Sequence, residues 1–260
     1  MSLLNTNVNR KNTVFLFDMD GTLTKATSKC DISVARVLEK LKKHVTIGIV
    51  SGSSLDAISY QFQPSDSSVT VDDIADYIFS QNGTVARFHG ACLGEDLNIQ
   101  SHLGESQLQE LLNFTLNYIA NLRIPIKRGT FIQLRSAMIN ISPIGRDCSL
   151  KERELFFEYD KKHHVRQSLI QHLEKNFRHL NLRYTIGGQI SIDCYPIGWD
   201  KSFCLRHLSD YDSIFFFGDK TSSGGNDYEI YHHPNVIGQT VQSPEDTLHH
   251  VEKFLNLIEN

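Results

Sequence analysis

Short apolar runs alternate with segments of helical periodicity in the first third of the chain. Three of these runs have the length of a buried strand and end at polar residues: 14–17, 45–50 and 77–79. Apolar residues recur at helical spacing behind Asp31, a suitable N-cap, and a more polar helix is predicted from about residue 55. A Ser- and Asp-rich loop is predicted over 64–73, and Asn82-Gly83 predicts a tight turn. Strands and helices in this alternation are typical of a doubly wound parallel sheet.

The alternation returns at the end of the chain, whereas the middle has a different pattern. The late elements are a helix, a buried strand and a closing helix, predicted at 200–208, 214–217 and 245–257. Right-handed crossover connections place that late strand in the same sheet as the early ones. In the middle, helices and strands arrive in blocks, at 105–122, 130–135, 138–141, 151–178, 182–186 and 190–195. We therefore predict an α/β, Rossmann-like core over 1–92 and 197–260 with an inserted α+β cap domain over 93–196.

The composition is that of an ordinary globular protein. The 260 residues correspond to about 1.7 domains at roughly 150 residues each. The 26 Lys and Arg against 30 Asp and Glu give a net charge of −4, which argues against a nucleic-acid partner. Neither an apolar run of about 18 residues nor a signal-peptide pattern occurs, so no membrane contact or secretion is predicted. The five cysteines are widely spaced, which favours reduced thiols and a cytoplasmic location.

Two aspartates follow the first predicted strand directly, in Asp18-Met19-Asp20-Gly21-Thr22. In an open α/β sheet the ligand crevice lies at the carboxyl ends of the strands, where both side chains would project. Their spacing puts two acids on one tight turn, so that one can attack a substrate while the other handles a proton. The glycine lets the backbone approach a ligand closely, and neighbouring N–H groups can bind phosphate oxygens.

The other predicted strand ends carry complementary chemistry. Ser51 follows the second strand and can donate a hydrogen bond to a phosphoryl oxygen, although Ser53 competes for the same role. Lys201 opens the late helix, where its ammonium can neutralise charge, and Asp219 and Asp227 follow the late strand. Carboxylates that converge on one crevice repel one another unless a hard cation joins them. Mg²⁺ is the expected cofactor, because it prefers oxygen ligands and couples carboxylates to substrate phosphate.

In this order, DMDGT, Ser51, Lys201 and GDKTSSGGND resemble the four motifs of the haloacid dehalogenase superfamily of phosphotransferases. The resemblance implies that Asp18 is a nucleophile that becomes an aspartyl-phosphate. Asp20 would act as general acid/base and lend its backbone carbonyl to Mg²⁺. Ser51 and Lys201 would hold the transferring phosphoryl oxygens, and Asp227 would orient Lys201 and metal-bound water. The implied metal ligands are Asp18, Asp20, Asp219 and Asp227.

The inserted segment combines alternating strands with arginines. Alternation puts Ser191 and Asp193 on one strand face and keeps Arg135 on the polar face of another strand, opposite an apolar side. A sheet of this kind suits a lid over a charged sugar. Arg146 and Arg153 add planar donors that suit phosphate. Spacing alone is also compatible with a solvated sheet face that carries surface arginines.

KRGTFIQLR, NISPIGR, GGQISIDCYPIGWDK and FFGDKTSSGGNDYE are similar to the eukaryotic phosphomannomutase family, and the similarity runs over 15–246. The resemblance implies that Arg135, Arg146 and Arg153 of the cap bind the distal phosphate of the substrate. Ser191 and Asp193 would bind the sugar hydroxyls. A cytoplasmic homodimer joined through the caps is implied, with a phosphohexose substrate and a hexose 1,6-bisphosphate activator. The resemblance implies that the enzyme interconverts mannose 6-phosphate and mannose 1-phosphate for GDP-mannose synthesis.

The sequence departs from the family pattern at two positions. Thr27 stands where the family usually carries an arginine, and Lys25 or Lys29 would replace that arginine only as a point charge. His233 stands where a loop for an auxiliary cation normally has an acid. The preference for mannose over glucose turns on one hydroxyl contact, and the residues leave it open.

Three classes of function are compatible with a chain of this kind. A mutase returns the phosphoryl group to the sugar, and a Mg²⁺-dependent sugar phosphatase passes it to water instead. Exclusion of water by a closing cap favours the mutase. A non-catalytic sugar-phosphate-binding protein is expected to have lost a catalytic acid or the lysine, whereas here all are present.

Overall fold

The computed structural model describes residues 12–25, 28–64 and 68–259. The chain divides into two compact units. The first is formed by the described residues of Met1–Asp96 and Trp199–Asn260, and the second by Leu97–Gly198. Among the described residues, no helix is both long enough and apolar enough to cross a bilayer.

The strands of the described residues are, in chain order, β1 (Thr13–Phe17), β2 (Thr46–Val50), β3 (Tyr77–Ser80), β4 (Val85–Phe88), β5 (Ala91–Cys92), β6 (Ile132–Leu134), β7 (Ile139–Ile141), β8 (Leu182–Gly187), β9 (Ser191–Pro196), β10 (Ser213–Gly218) and β11 (Val236–Thr240). The α-helices are α1 (Ile32–Lys42), α2 (Leu55–Phe62), α3 (Val71–Ile74), α4 (Ile99–Leu103), α5 (Glu105–Asn121), α6 (Leu150–His163), α7 (Val165–Asn176), α8 (Tyr228–Tyr231) and α9 (Pro244–Glu259).

The first unit is built on a seven-stranded sheet in the order β11-β10-β1-β2-β3-β4-β5. The five strands from β11 to β3 run parallel, and β4 and β5 extend the sheet antiparallel. The predicted α/β class with a doubly wound parallel sheet is therefore confirmed. The sequence pattern missed the edge strand β11 and the two antiparallel strands β4 and β5.

Both faces of this sheet are covered, which explains why its central strands are apolar throughout. On one face Phe15, Phe17 and Phe217 belong to a buried cluster that also contains residues of α1 and α9. The rings of Phe17 and Phe217 stack at 4.9 Å between centroids. Leu16 and Phe216 belong to a second buried cluster, formed by the alternate residues of the same strands. The central strands are therefore well packed up to their carboxyl ends. This packing holds in place the polar residues that follow them.

Three local predictions were confirmed only in part. The tight turn predicted at Asn82-Gly83 is a four-residue connection between β3 and β4 that contains a 3₁₀ turn, Gln81–Gly83. Tertiary contacts explain it, because Asn82 donates to the carbonyl of Trp199 at 3.4 Å and a Cβ on Gly83 would meet the backbone of Cys204. The helix predicted over 200–208 is a 3₁₀ helix, Lys201–His207. In the loop predicted over 64–73, α3 begins at Val71.

The second unit carries a four-stranded antiparallel sheet in the order β6-β7-β9-β8. The charged segment predicted as helical over 151–178 is two helices, α6 and α7, which meet at His164 in the left-handed conformation. We expected an apolar side on strand 130–135. In the structure β6 is an edge strand, and Leu134 on that side is exposed.

Candidate active site

A buried lysine lies between two buried aspartates in the first unit. Asp18 follows β1, and its backbone N–H donates to the carbonyl of Phe217 at 2.9 Å. The ammonium of Lys201 donates to Oδ1 of Asp18 and, at 2.6 Å, to Oδ1 of Asp227. All three side chains are almost fully buried. One positive charge thus faces two carboxylates where water cannot screen them.

The pKa values of Asp18 and Lys201 are both raised, for different reasons. Burial raises the pKa of Asp18 to about 7, an effect that Lys201 opposes and Asp227 increases. Burial alone would lower the pKa of Lys201, but the attraction of Asp18 and Asp227 outweighs it, and the lysine pKa is raised. Lys201 is therefore charged, and Asp18 becomes more acidic if a further cation arrives.

A third carboxylate completes a candidate cation site. Asp219 follows β10, and ligand atoms of Asp18, Asp219 and Asp227 lie within 4.8 Å of one another. Oδ1 of Asp219 is buried, with no hydrogen-bond partner in the described part of the chain. An orphaned carboxylate oxygen among further carboxylates fits a hard cation that takes oxygen ligands. Gly21 (φ +82°) leaves room for this group, because a Cβ there would run into the Asp219 carboxylate.

The carboxylate of Asp20 has a different environment from that of Asp18. Its Oδ1 accepts from Nε2 of Gln61 at 2.6 Å, and the same nitrogen donates to Oγ1 of Thr24 at 2.6 Å. The side chain of Asp20 is thus held by α2. The sequence-based prediction for Asp20 as a metal ligand concerned its backbone carbonyl, not this carboxylate.

The two serines that competed for one role occupy different positions. Ser51 follows β2 directly and is buried, and its N–H donates to the carbonyl of Phe79 at 2.9 Å. The Oγ of Ser51 accepts from the backbone N–H of Ser53 at 3.1 Å. Ser53 itself is only partly buried.

In the second unit, Asn140 joins two of the residues predicted to bind substrate. Its Oδ1 accepts from Nη1 of Arg146 at 2.5 Å, and its Nδ2 donates to Oδ1 of Asp193 at 2.6 Å. Asn140 lies in β7 between apolar neighbours and is buried. A polar residue inside an otherwise apolar strand was the only signal for it in the sequence.

The predicted arginines form a cluster of like charge. Burial lowers the pKa of Arg146, and Arg135 and Arg153 lower it further. Nη2 of Arg153 donates to the carbonyl of Arg146 at 3.4 Å, and its Nε is buried without a hydrogen-bond partner among the described residues. Arg135 is held by Oε1 of Gln133, at 3.2 Å from Nε. Guanidinium groups gathered in this way offer a site for an anion.

A residue that the sequence did not single out holds the hairpin with the predicted sugar-binding residues. Arg166 in α7 is buried and donates through Nε to Oδ2 of Asp160 at 2.7 Å. Its Nη1 donates to the carbonyl of Gly188 at 2.9 Å and to that of Ser191 at 3.2 Å. It thereby fixes the turn between β8 and β9, next to Ser191 and Asp193.

Of the two departures from the family pattern, Thr27 lies outside the described residues. His233 follows α8, and its Nδ1 accepts from the backbone N–H of Asn235 at 3.3 Å. In the described chain, carboxylates that could share a metal ion were found around Asp18 and not around His233.

The fold has counterparts among solved structures. The chain is similar to trehalose-6-phosphate phosphatase from Aspergillus fumigatus, with a TM-score of 0.60 over 95% of this chain and 93% of that one, at 15% identity. It is also similar to the C-terminal domain of trehalose-6-phosphate phosphatase from C. albicans, with a TM-score of 0.58 over 94% and 92%, at 14% identity. At this identity the likeness concerns the fold alone. Together with the motifs at the strand ends, it defines an enzyme of the haloacid dehalogenase superfamily.

Comparison with related sequences identifies the family within this superfamily. The family described as eukaryotic phosphomannomutase matches residues 34–257. A phosphomannomutase from Oryza sativa subsp. japonica is 52% identical over 232 residues, which cover 89% of this chain and 91% of that protein. A phosphomannomutase from Nicotiana benthamiana is 51% identical over 243 residues, or 93% and 94% of the two chains. The chain belongs to the eukaryotic phosphomannomutase family.

Proposed function

We propose that this enzyme interconverts mannose 6-phosphate and mannose 1-phosphate through an aspartyl-phosphate on Asp18 and a hexose 1,6-bisphosphate, and supplies GDP-mannose synthesis. Membership of the family supports the reaction. The observation that carries the mechanism is the buried Asp18–Lys201–Asp227 triad, with Asp219 beside it, at the carboxyl ends of parallel strands. Such a site supplies a nucleophile together with charge that can meet a phosphoryl group.

The proposed reaction balances in two transfers. A carboxylate oxygen of Asp18 attacks the phosphorus of the bisphosphate, the bond from phosphorus to the sugar oxygen breaks, and Asp20 gives that oxygen its proton. This monophosphate leaves, and the isomeric hexose monophosphate binds with its free hydroxyl at Asp18. That hydroxyl attacks the phosphorus on Asp18 and loses its proton to Asp20, and the aspartyl bond breaks. The bisphosphate formed in this way turns over, so that its other phosphoryl group is transferred in the next cycle. A positioned acid/base group typically contributes about 10²–10⁴ in rate.

The neighbouring residues support the transfer electrostatically. Lys201 would neutralise charge on the phosphoryl oxygens, and Asp227 would keep that lysine in place through the 2.6 Å contact. Ser51 would donate its hydroxyl proton to a phosphoryl oxygen, because its Oγ accepts from Ser53 and stays oriented. Asp18, Asp219, Asp227 and the carbonyl of Asp20 would hold Mg²⁺, which when bound would supply positive charge to the transferring group.

The second unit would act as the cap domain of the enzyme. Its cluster of Arg135, Arg146 and Arg153 would bind the phosphate that is not being transferred, and Ser191 and Asp193 would bind sugar hydroxyls. The unfilled donor Nε of Arg153 supports an anion at this cluster.

We also propose a cytoplasmic homodimer joined through the caps. Sedimentation equilibrium tests the dimer, and cell fractionation tests the location.

Product analysis tests the proposal. Phosphorus NMR of the enzyme with Mg²⁺, mannose 1-phosphate and catalytic mannose 1,6-bisphosphate should show mannose 6-phosphate, and Asp18→Asn should abolish it. Glucose 1-phosphate in a parallel tube measures the sugar preference. Inorganic phosphate and free mannose as the only products would contradict the mutase and indicate a sugar phosphatase.

A further inference from the structure

We infer that Gln61 is a positioning residue for the acid/base carboxyl of Asp20. The inference rests on the proposed function, since it takes the role of Asp20 in phosphoryl transfer from there. Gln61 lies in the last turn of α2, on the buried side with Ile58 and Phe62. A glutamine at an apolar helix position buries a polar amide, which is costly unless both ends of it are bonded.

The side-chain nitrogen of Gln61 donates two hydrogen bonds. Nε2 lies 2.6 Å from Oδ1 of Asp20 and 2.6 Å from Oγ1 of Thr24. The backbone carbonyl of Gln61 accepts from the N–H of Cys30 at 2.8 Å, which holds the end of the helix. The side chain is 8% exposed. Two hydrogen bonds from one NH₂ group thus join α2 to the turn that carries Asp20.

The chemistry of the two acceptors fixes the orientation of the amide. An ionised carboxylate has no proton to donate. The hydroxyl of Thr24 donates to the carbonyl of Met19 at 3.2 Å, so its oxygen faces Gln61 as an acceptor. A flipped amide would place its own oxygen against these two acceptors. The NH₂ group must therefore face them, and Gln61 acts as a fixed double donor.

This arrangement suits a carboxyl that must give and take a proton without turning. The neutral carboxyl group of Asp20 still has an acceptor oxygen, so the bond from Gln61 to Oδ1 persists in both states. Thr24 anchors the amide to the same turn, where its N–H donates to the carbonyl of Met19 at 2.9 Å. Gln61 thus holds the plane of the carboxyl group while the charge of Asp20 changes.

Two phosphoryl donors separate this role from general support of the fold. Mannose 1,6-bisphosphate has a leaving oxygen that must gain a proton, whereas p-nitrophenyl phosphate releases a stable anion that needs none. In single turnovers of the full-length enzyme with Mg²⁺, Gln61→Met should slow aspartyl-phosphate formation from the bisphosphate about 10- to 100-fold. The rate with p-nitrophenyl phosphate should change less than about threefold. In the mutase assay, kcat should fall while KM stays within about twofold.

Three further variants complete the test. Gln63→Met changes an exposed glutamine two residues away and should leave both rates unchanged. Thr24→Val removes the second hydrogen-bond acceptor of the amide. It should also slow the reaction of the bisphosphate more than that of p-nitrophenyl phosphate, so the test stands even if Gln61→Met does not fold. Equal losses with both donors, or no loss with either, would overturn the role of Gln61. Asp18→Asn should form no aspartyl-phosphate from either donor; if it does, the proposed function fails instead.

Discussion

At the scale of single residues, the state of the site depends on how many positive charges meet its carboxylates. Lys201 is shared by Asp18 and Asp227, and Asp219 adds a further carboxylate to the same cluster. Removing one partner of a buried ion pair leaves an uncompensated charge away from water. The lysine is therefore expected to matter for folding as well as for phosphoryl transfer.

Replacing the buried lysine should destabilise the protein and inactivate it. In Lys201→Met the two carboxylates face each other without a cation, so the free energy of unfolding should fall by about 3–5 kcal/mol in urea titrations. Mutase activity should be lost in the same variant. Lys161→Met, which breaks an exposed pair with Glu158, should cost less than about 0.5 kcal/mol. Similar losses in the two variants would contradict this account of the triad.

Stabilisation by Mg²⁺ should depend on pH. Burial raises the pKa of Asp18 to about 7, so below that pH the metal-free protein keeps a proton that a cation must displace. The rise in Tm on adding Mg²⁺ to EDTA-treated protein should therefore be larger at about pH 8 than at about pH 5.5. Asp18→Asn should remove most of this pH dependence. A rise in Tm that is equal at both pH values would argue against cation binding at Asp18.

Sequence reasoning was most informative for residues at strand ends. It singled out Asp18, Lys201, Asp219 and Asp227, and the structure brings them together, because parallel strands end at one edge of a sheet. It did not single out Gln61, Asn140 or Arg166. Each of these is a polar residue at a position with apolar neighbours, and the identity of its partner depends on tertiary packing that spacing does not show.

At the scale of elements, the sequence correctly predicted the strands that are buried on both faces. Its predictions were less accurate for segments whose local conformation depends on contacts with distant segments. β1 and β10 are continuous apolar runs, so their pattern and their environment agree. The Asn82-Gly83 turn and the 3₁₀ helix Lys201–His207 pack against each other. Asn82 and Gly83 have the positive φ that an Asn-Gly turn favours, so the local signal predicted the turn itself, whereas the contact between the two segments accompanies its greater length.

The hairpin of β8 and β9 depends on one buried ion pair. Arg166→Leu and Asp160→Leu should each destabilise the protein by about 3–5 kcal/mol, because each leaves one buried charge unpaired. The double variant should cost less than the sum of the two in a double-mutant cycle. Arg166→Leu should also raise the KM for mannose 1-phosphate, since the carbonyl of Ser191 loses its donor. Strictly additive costs with an unchanged KM would contradict a clamp on this hairpin.

At the scale of the whole molecule, the chemistry is divided between two units of opposite character. The first holds buried carboxylates that need a cation, and the second holds a cluster of arginines that needs an anion. The fold class followed from alternating strands and helices, whereas the pairing of these two sites with one bisphosphate is a proposal about function.

The covalent intermediate is the central claim and can be observed directly. The enzyme is mixed with Mg²⁺ and radiolabelled mannose 1,6-bisphosphate, quenched in acid within one turnover, and digested for mass spectrometry. One phosphoryl group should be found on the peptide that contains Asp18, and a chase with unlabelled mannose 6-phosphate should return the label to a bisphosphate. A labelled peptide that lacks Asp18, or label that leaves only as inorganic phosphate, would contradict the proposed mutase mechanism.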